Sequence, residues 1–248
     1  MSYIIAIAGK GGTGKTTIAA LLVRLLVEQK NRSVLAVDAD PNSNLGEALG
    51  VKVENTIGSI LDDISAHPEK IPAGTPKERF IEFQVQTAIQ ESNGFDILTM
   101  GRPEGPGCYC YVNNVLRNIV GKIVRDYDYV VIDNEAGLEH LSRRTMRAAD
   151  ILVAVSDPTA VALKAAGRIN KLVDELKIKA AKRVLLVNRM VEQARDKEIN
   201  IAGLDYIGNI PQDEQIAKIS LNGNSIMELK NDAEALVSLR KLGDKIIM

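Results

Sequence analysis

The run Gly9-Lys10-Gly11-Gly12-Thr13-Gly14-Lys15-Thr16-Thr17 follows directly on the apolar stretch Tyr3–Ala8. It fits G-x-x-x-x-G-K-[ST], the pattern of a phosphate-binding loop that joins a strand to a helix. Small residues let successive backbone N–H groups converge on phosphate oxygens. The helix that follows adds the positive end of its dipole. Lys15 is placed to reach the β- and γ-phosphates, and the Thr16 hydroxyl to ligate Mg²⁺. The candidate nucleotide contacts are therefore Gly11, Gly12, Thr13, Gly14, Lys15, Thr16 and Thr17. Residues Ile18–Leu26 continue with a wide apolar stripe at helical spacing, which is the context such a loop needs.

Carboxylates recur at the ends of two further apolar runs. Val37-Asp38-Ala39-Asp40-Pro41 makes Asp38 a candidate to hold Mg²⁺. Asp40 is a candidate to orient the attacking water or accept its proton. Short carboxylates also cap helices and form turns, so this segment acquires its meaning from the loop upstream. Val130-Val131-Ile132-Asp133 is a strand ending in a carboxylate, a Walker B pattern with Asp133 beside Mg²⁺. In the following Asn134-Glu135-Ala136-Gly137, Gly137 offers a backbone N–H that can sense a γ-phosphate.

The chain has two cysteines, both in Gly101-Arg102-Pro103-Glu104-Gly105-Pro106-Gly107-Cys108-Tyr109-Cys110. They can be small thiols without a role. They can be a redox pair, although a disulfide between i and i+2 is strained and C-x-x-C is the usual spacing. They can be metal ligands, since thiolates suit Zn²⁺, Ni²⁺, Cu⁺ or an iron–sulfur cluster. Two sulfurs do not fill a tetrahedral shell, but a symmetric dimer supplies four.

These residues need a scaffold that brings strand ends to one rim. Apolar runs at Tyr3–Ala8, Val34–Val37, Asp96–Thr99, Tyr129–Ile132, Ile151–Val155, Val184–Val187 and Tyr206–Gly208 read as strands buried on both faces. Helical patterns cover Thr56–Ile64, Tyr111–Arg125, Ser142–Ala149, Thr159–Leu176 and Asp232–Ile247. The alternation predicts an α/β fold: one doubly wound, mostly parallel sheet with ligands at the carboxyl ends of its strands. No linker or repeat divides the chain, so one domain over 1–248 is expected. The alternation in Phe83–Ile89 suggests a short edge strand.

Composition narrows the partners. The 248 residues are 46% hydrophobic, enough for a full core, and carry a net charge of −1. With 4% aromatics, no Trp and no long basic run, nucleic acid is not an expected partner. No stretch reaches the ~20 apolar residues that span a bilayer. A chain that runs straight into its first strand leaves no room for a signal peptide, so a cytoplasmic location is expected.

The octet Lys10-Gly-Gly-Thr-Gly-Lys-Thr-Thr17 resembles the deviant Walker A loop of the MinD, ParA and nitrogenase iron protein class of ATPases. The resemblance implies that Lys10 reaches the nucleotide of a partner subunit, acting in trans like an arginine finger, so that ATP closes a homodimer. It places the Mg²⁺ and water roles on Asp38 and Asp40. It makes Asn188, which closes the run Val184–Val187, an adenine reader. Arg189 stands where a lysine is commoner, and Pro211 lies in the loop that packs on the base. Together with Gly101–Cys110 and the run Asp133–His140, these features resemble the CooC-type accessory ATPases that mature the nickel–iron–sulfur site of carbon monoxide dehydrogenase.

That narrower resemblance implies an ATP-dependent metallochaperone for nickel insertion, with carbon monoxide dehydrogenase as its client. It also implies one Ni²⁺ or Zn²⁺ per dimer, bound between subunits by Cys108 and Cys110 of each. Two alternatives stay open: an electron-transfer ATPase like the nitrogenase iron protein, and a MinD/ParA-type positioning ATPase with a basic terminal helix on a membrane. His140 is a candidate further ligand or a structural residue at a helix start, and His67 is expected to be solvated.

Overall fold

The computed structural model describes residues 2–29, 31–101, 118–135, 148–194 and 198–247. Their centre is an eight-stranded sheet. In chain order the strands are β1 (Tyr3–Gly9), β2 (Val34–Ala39), β3 (Gln90–Glu91), β4 (Asp96–Thr99), β5 (Tyr129–Asn134), β6 (Ala148–Ser156), β7 (Lys179–Met190) and β8 (Asp205–Pro211). They lie in the order β3-β4-β2-β5-β1-β6-β7-β8. Every pairing is parallel except the short antiparallel edge of β3 on β4. This is the expected single-domain, doubly wound α/β fold.

The helices are α1 (Lys15–Val27), α2 (Asn44–Leu49), α3 (Ile57–Ala66), α4 (Lys77–Thr87), α5 (Ala160–Glu175), α6 (Glu214–Asn222) and α7 (Glu234–Ile246). Residues 118–123 are also helical. Alternate residues of the inner strands feed two separate cores. Ile5, Ile7, Val131 and Val153 pack with α1 and with Leu236 and Leu239 of α7 on one face. Ala6, Val37, Val130 and Ile132 pack with α3, α4, the 118–124 stretch and Ile169 of α5 on the other. Strands buried on both faces are necessarily continuous apolar runs, and for that reason the sequence reveals them.

β1 has β5 on one side and β6 on the other. The chain crosses to β2 first and comes to β6 only later, so the carboxyl end of β1 is the point where the winding reverses. Ligands of open α/β sheets bind there.

Two expectations change, and a third falls largely outside the described residues. Residues Phe83–Thr87 belong to helix α4 and not to an edge strand; Ile81 and Val85, four apart, are buried while Phe83 is exposed. Alternation over so few residues matched both periods, and burial against α3 decides for the helix. Ala148 and Ala149 begin β6, so the helix expected over Ser142–Ala149 does not reach its end; its residues 142–147 lie outside the described residues. Most of Tyr111–Arg125 lies outside them too, with 118–123 helical as expected.

α2 and α6 are additions, and both carried terminal signals. Gly50 ends α2 in the left-handed conformation. Asp213 caps α6: its Oδ1 accepts from the N–H groups of Gln215 (2.7 Å) and Ile216 (3.3 Å). Its Oδ2 accepts from Ala235 N–H at 2.9 Å, tying α6 to the start of α7. Asp213→Ala removes both ties and is expected to cost about 2 kcal/mol, read as a drop in denaturation midpoint. An unchanged midpoint would mean the two helices hold without it.

Candidate nucleotide site

The loop leaves β1 at Gly9 and enters α1 at Lys15. Gly14 takes φ 86°, a left-handed turn that glycine adopts without strain. Among the described residues no side chain caps α1. Its first N–H groups are thus turned to the loop, as an anion-binding helix start requires. Thr13, buried, braces the loop from inside: its hydroxyl donates to the Lys10 carbonyl at 2.8 Å.

The two lysines of the loop have opposite surroundings. Lys15 is 7% exposed and its charge acts on Asp133. Lys10 is exposed and lines a cleft of about 470 Å³ between the loop and α5, beside Arg168 and Lys171. α5 packs on the sheet face opposite α1. Lys10 therefore stands away from Thr16 and Asp133.

Asp38 and Asp133 are register partners on β2 and β5. Paired residues on parallel strands project to the same face, here the face that carries α1. Thr16 Oγ1 donates to Asp133 Oδ2 at 2.6 Å, which joins the helix start to the Walker B strand. Asp38 Oδ1 accepts from Asp40 N–H (3.1 Å) and Oδ2 from Leu45 N–H (2.8 Å). Asp40 is half-buried; its Oδ1 accepts from the N–H and the side-chain amide of Asn42, both at 2.9 Å. A cleft of about 650 Å³ opens from Thr16 and Thr17 between α2 and α6.

Burial raises both strand-end carboxyls. Asp38 is pushed up to about 7, chiefly by desolvation, with the Asp133 charge adding to it against the two backbone donors. Asp133 is pushed up to about 6 by desolvation, opposed by Thr16 and Lys15. Asp133 Oδ1 is buried and, among the described residues, has no hydrogen-bond partner. Two costly buried carboxylates, one with an unpartnered oxygen, next to a threonine hydroxyl are the donor set of a hard divalent cation. Mg²⁺ fits these residues.

A pH dependence follows for the protein without Mg²⁺. A raised carboxyl pKa means that the folded state holds protons the unfolded chain has lost. The stability from Asp38 and Asp133 is thus fully present below their usual value of 3.8 and is lost as pH rises towards about 6 to 7. Melting temperature should fall as pH rises from 5 to 7.5 (approximate limits), and Mg²⁺ with nucleotide should restore most at the upper end. A metal-free melting temperature that rises over that range would contradict the assignment.

On the other side of the loop, Asn188 Nδ2 donates to the Thr13 carbonyl at 2.9 Å and Arg189 Nη1 to the Gly12 carbonyl at 2.9 Å. Both side chains thus hold the phosphate loop from behind. Arg189 does so from a left-handed backbone, φ 52°. Pro211 ends β8 as the register partner of Met190, on the same rim as this pair. The sequence did not disclose the clamp on the loop carbonyls, because it depends on β7 running past the end of β1: Gly9 is level with Leu186 through Val155, and Asn188 and Arg189 lie beyond it. It also missed Asn134, whose Nδ2 donates to the Ile7 carbonyl at 2.8 Å and fastens the ends of β5 and β1.

Cys108, Cys110, Gly137 and His140 lie outside the described residues. His67 is exposed, with Nδ1 3.0 Å from Glu69 Oε1, as its solvated reading implied. Among the described residues no helix is long and apolar enough to cross a membrane.

The AAA_31 family model, described as an AAA domain, matches residues 1–186. An uncharacterized ATP-binding protein of Methanocaldococcus jannaschii is 41% identical, over 98% of each chain. The carbon monoxide dehydrogenase accessory protein CooC of Rhodospirillum rubrum is 32% identical, over 94% of each. The structure of the septum site-determining protein MinD from Pyrococcus horikoshii, complexed with Mg-ADP, superposes with a TM-score of 0.70 at 23% identity, covering 100% of this chain and 96% of that one. The phosphate loop at the switch point, its buried lysine, the Thr16 hydroxyl on Asp133 and these similarities agree: the chain belongs to the AAA domain family AAA_31 and is a P-loop ATPase with the fold of MinD.

Proposed function

We propose that this ATPase is a cytoplasmic metallochaperone that delivers nickel to carbon monoxide dehydrogenase. In this reading ATP closes a homodimer, and Cys108 and Cys110 of both subunits hold one Ni²⁺ or Zn²⁺ as cargo. One observation carries the dimer part: Lys15 is buried on the α1 side of the loop, whereas Lys10 is exposed on the α5 side. A lysine turned away from its own catalytic carboxylates is free to serve the nucleotide of a second subunit. The cargo and client rest on the C-x-C segment and on the similarity to CooC.

The hydrolytic step divides among the chain's own residues. The loop N–H groups and Lys15 hold the β- and γ-phosphates, and Asn188 and Arg189 keep the loop carbonyls turned away from them. Asp40 orients a water and takes its proton as the water oxygen bonds to the γ-phosphorus. The bond from that phosphorus to the β–γ bridging oxygen breaks, giving ADP and phosphate. Thr16, Asp133 and Asp38 would hold Mg²⁺, which would supply positive charge against the charge developing on the phosphates. Lys10 of the other subunit stabilises the same transition state.

The positioning-ATPase reading calls for a terminal helix free to lie on a membrane. α7 instead buries Ala235, Leu236, Leu239 and Ile246 in the core. This helix therefore packs as part of the fold and is not such an element.

Metal titration of the reduced protein, with and without Mg-ATP, alongside its mass in solution, tests the proposal. One Ni²⁺ or Zn²⁺ per ATP-dependent dimer is expected, and its loss on Cys108→Ala/Cys110→Ala. Equal nickel binding by that variant sinks the cargo site. A monomer at saturating ATP sinks the dimer. A brown iron–sulfur absorption in the isolated protein favours the electron-transfer alternative.

A further inference from the structure

The polar row across the sheet has a third member. β4 flanks β2 on the side away from β5, and Thr99 is the register partner of Asp38 on β4, as Asp133 is on β5. Thr99, Asp38 and Asp133 therefore stand level on three adjacent strands and project to one face. Two residues earlier on each strand, at Ile97, Ala36 and Val131, that face is apolar core under α1. Thr99 is 2% exposed and, among the described residues, its Oγ1 has no hydrogen-bond partner. Buried hydroxyls are nearly always paired, because an unpaired one forfeits its hydration for nothing.

The end of β4 is fixed where this hydroxyl lies. Met100 N–H donates to the Asp38 carbonyl at 2.8 Å, and Gly58 N–H at the start of α3 donates to the Met100 carbonyl at 2.8 Å. The Asp38 carboxylate receives one backbone donor on each oxygen, from Asp40 and Leu45. Both come from the segment following β2. Nothing among these contacts holds it from the β4 side.

We propose that Thr99 is a positioning residue for Asp38. Its hydroxyl donates to the Asp38 carboxylate when the nucleotide and its cation occupy the site, and fixes that carboxylate level with Asp133. The inference rests on the reading of Asp38 as a residue of the hydrolytic site. Thr99 acts through Asp38 and does not touch the nucleotide.

Thr99→Val keeps the shape and removes the hydroxyl; Thr99→Ser keeps the hydroxyl. ATP turnover is measured over a range of ATP and Mg²⁺ concentrations, with binding of a non-hydrolysable ATP analogue as a check on folding. Thr99→Val should lower kcat about tenfold, the effect of losing one hydrogen bond to a charged group. It should leave KM for ATP within about twofold and raise the Mg²⁺ needed for half-activation several-fold. Thr99→Ser should stay within about threefold of wild type on every measure. If Thr99→Val fails to bind the analogue, Thr99→Ala is read in its place. A valine variant with wild-type kcat and Mg²⁺ response overturns the inference, and so does an equal loss in the valine and serine variants, which is packing. Asp38→Asn in the same assay separates the two levels. An active Asp38→Asn removes the reading of Asp38 and the inference with it, whereas an inactive Asp38→Asn beside a normal Thr99→Val removes the inference alone.

Discussion

Lys15→Ala is expected to leave a folded protein that hydrolyses ATP about a thousandfold more slowly, the scale for removing a preorganised charge from a developing phosphoryl transition state. Two effects combine. The ammonium group proposed to meet the β- and γ-phosphates is gone. Asp133 also loses the positive charge that opposes its desolvation, so its carboxyl, already at about 6, rises further. A carboxyl protonated near neutrality is a poor cation ligand, so the variant should also respond weakly to Mg²⁺. Folding is less affected, because the lost charge stabilised a group that can take up a proton instead. Turnover and the thermal shift on adding Mg-ATP check this together. Turnover within about tenfold of wild type would show that Lys15 is not the phosphate-binding lysine.

Gly9→Ala should act on the sheet itself. Gly9 is the last residue of β1 and the register partner of Val155 on β6. A methyl group at Gly9 would stand 2.3 Å from the Val155 carbonyl oxygen, 3.0 Å from Thr13 Oγ1 and 3.2 Å from Lys15 Cγ. A backbone carbonyl within the central sheet cannot step aside as the end of a side chain can. β1 must part from β6, or the loop must leave its place against Thr13 and Lys15. The expected cost is about 3 kcal/mol, with nucleotide binding lost alongside stability. Denaturant unfolding and nucleotide titration measure the two. A variant that keeps both would mean that the strand ends are farther apart in solution. Gly12, with φ 84° and open space around it among the described residues, should tolerate alanine better in packing and suffer from backbone strain alone.

Much of this protein is legible residue by residue. The inner strands announce themselves because burial on two faces leaves no polar positions to confuse the pattern; Asp96–Thr99 is found with its expected bounds. The phosphate loop is legible because its mechanism is local: glycines, a lysine and a threonine at fixed spacing, between a strand and a helix. Thr159 and Leu176, the expected ends of a helix, are the caps of α5. The failures share a cause. Phe83–Thr87 is short and carries both periods, so only packing against α3 selects the helix. α2 and α6 are six and nine residues long, too short for an apolar stripe to stand out, although their caps were there to read.

The sequence by itself determined the fold class, the loop chemistry and the carboxylates that end β2 and β5, because each depends on residues close together in the chain. Only the tertiary structure decided which residues stand side by side. Strand order and register put Thr99, Asp38 and Asp133 in one row, bring Asn188 and Arg189 behind the loop and turn Lys10 and Lys15 to different sides. Those partners come from strands scores of residues apart. Their juxtaposition is set by sheet pairing and by the burial of two apolar faces, which no local pattern encodes.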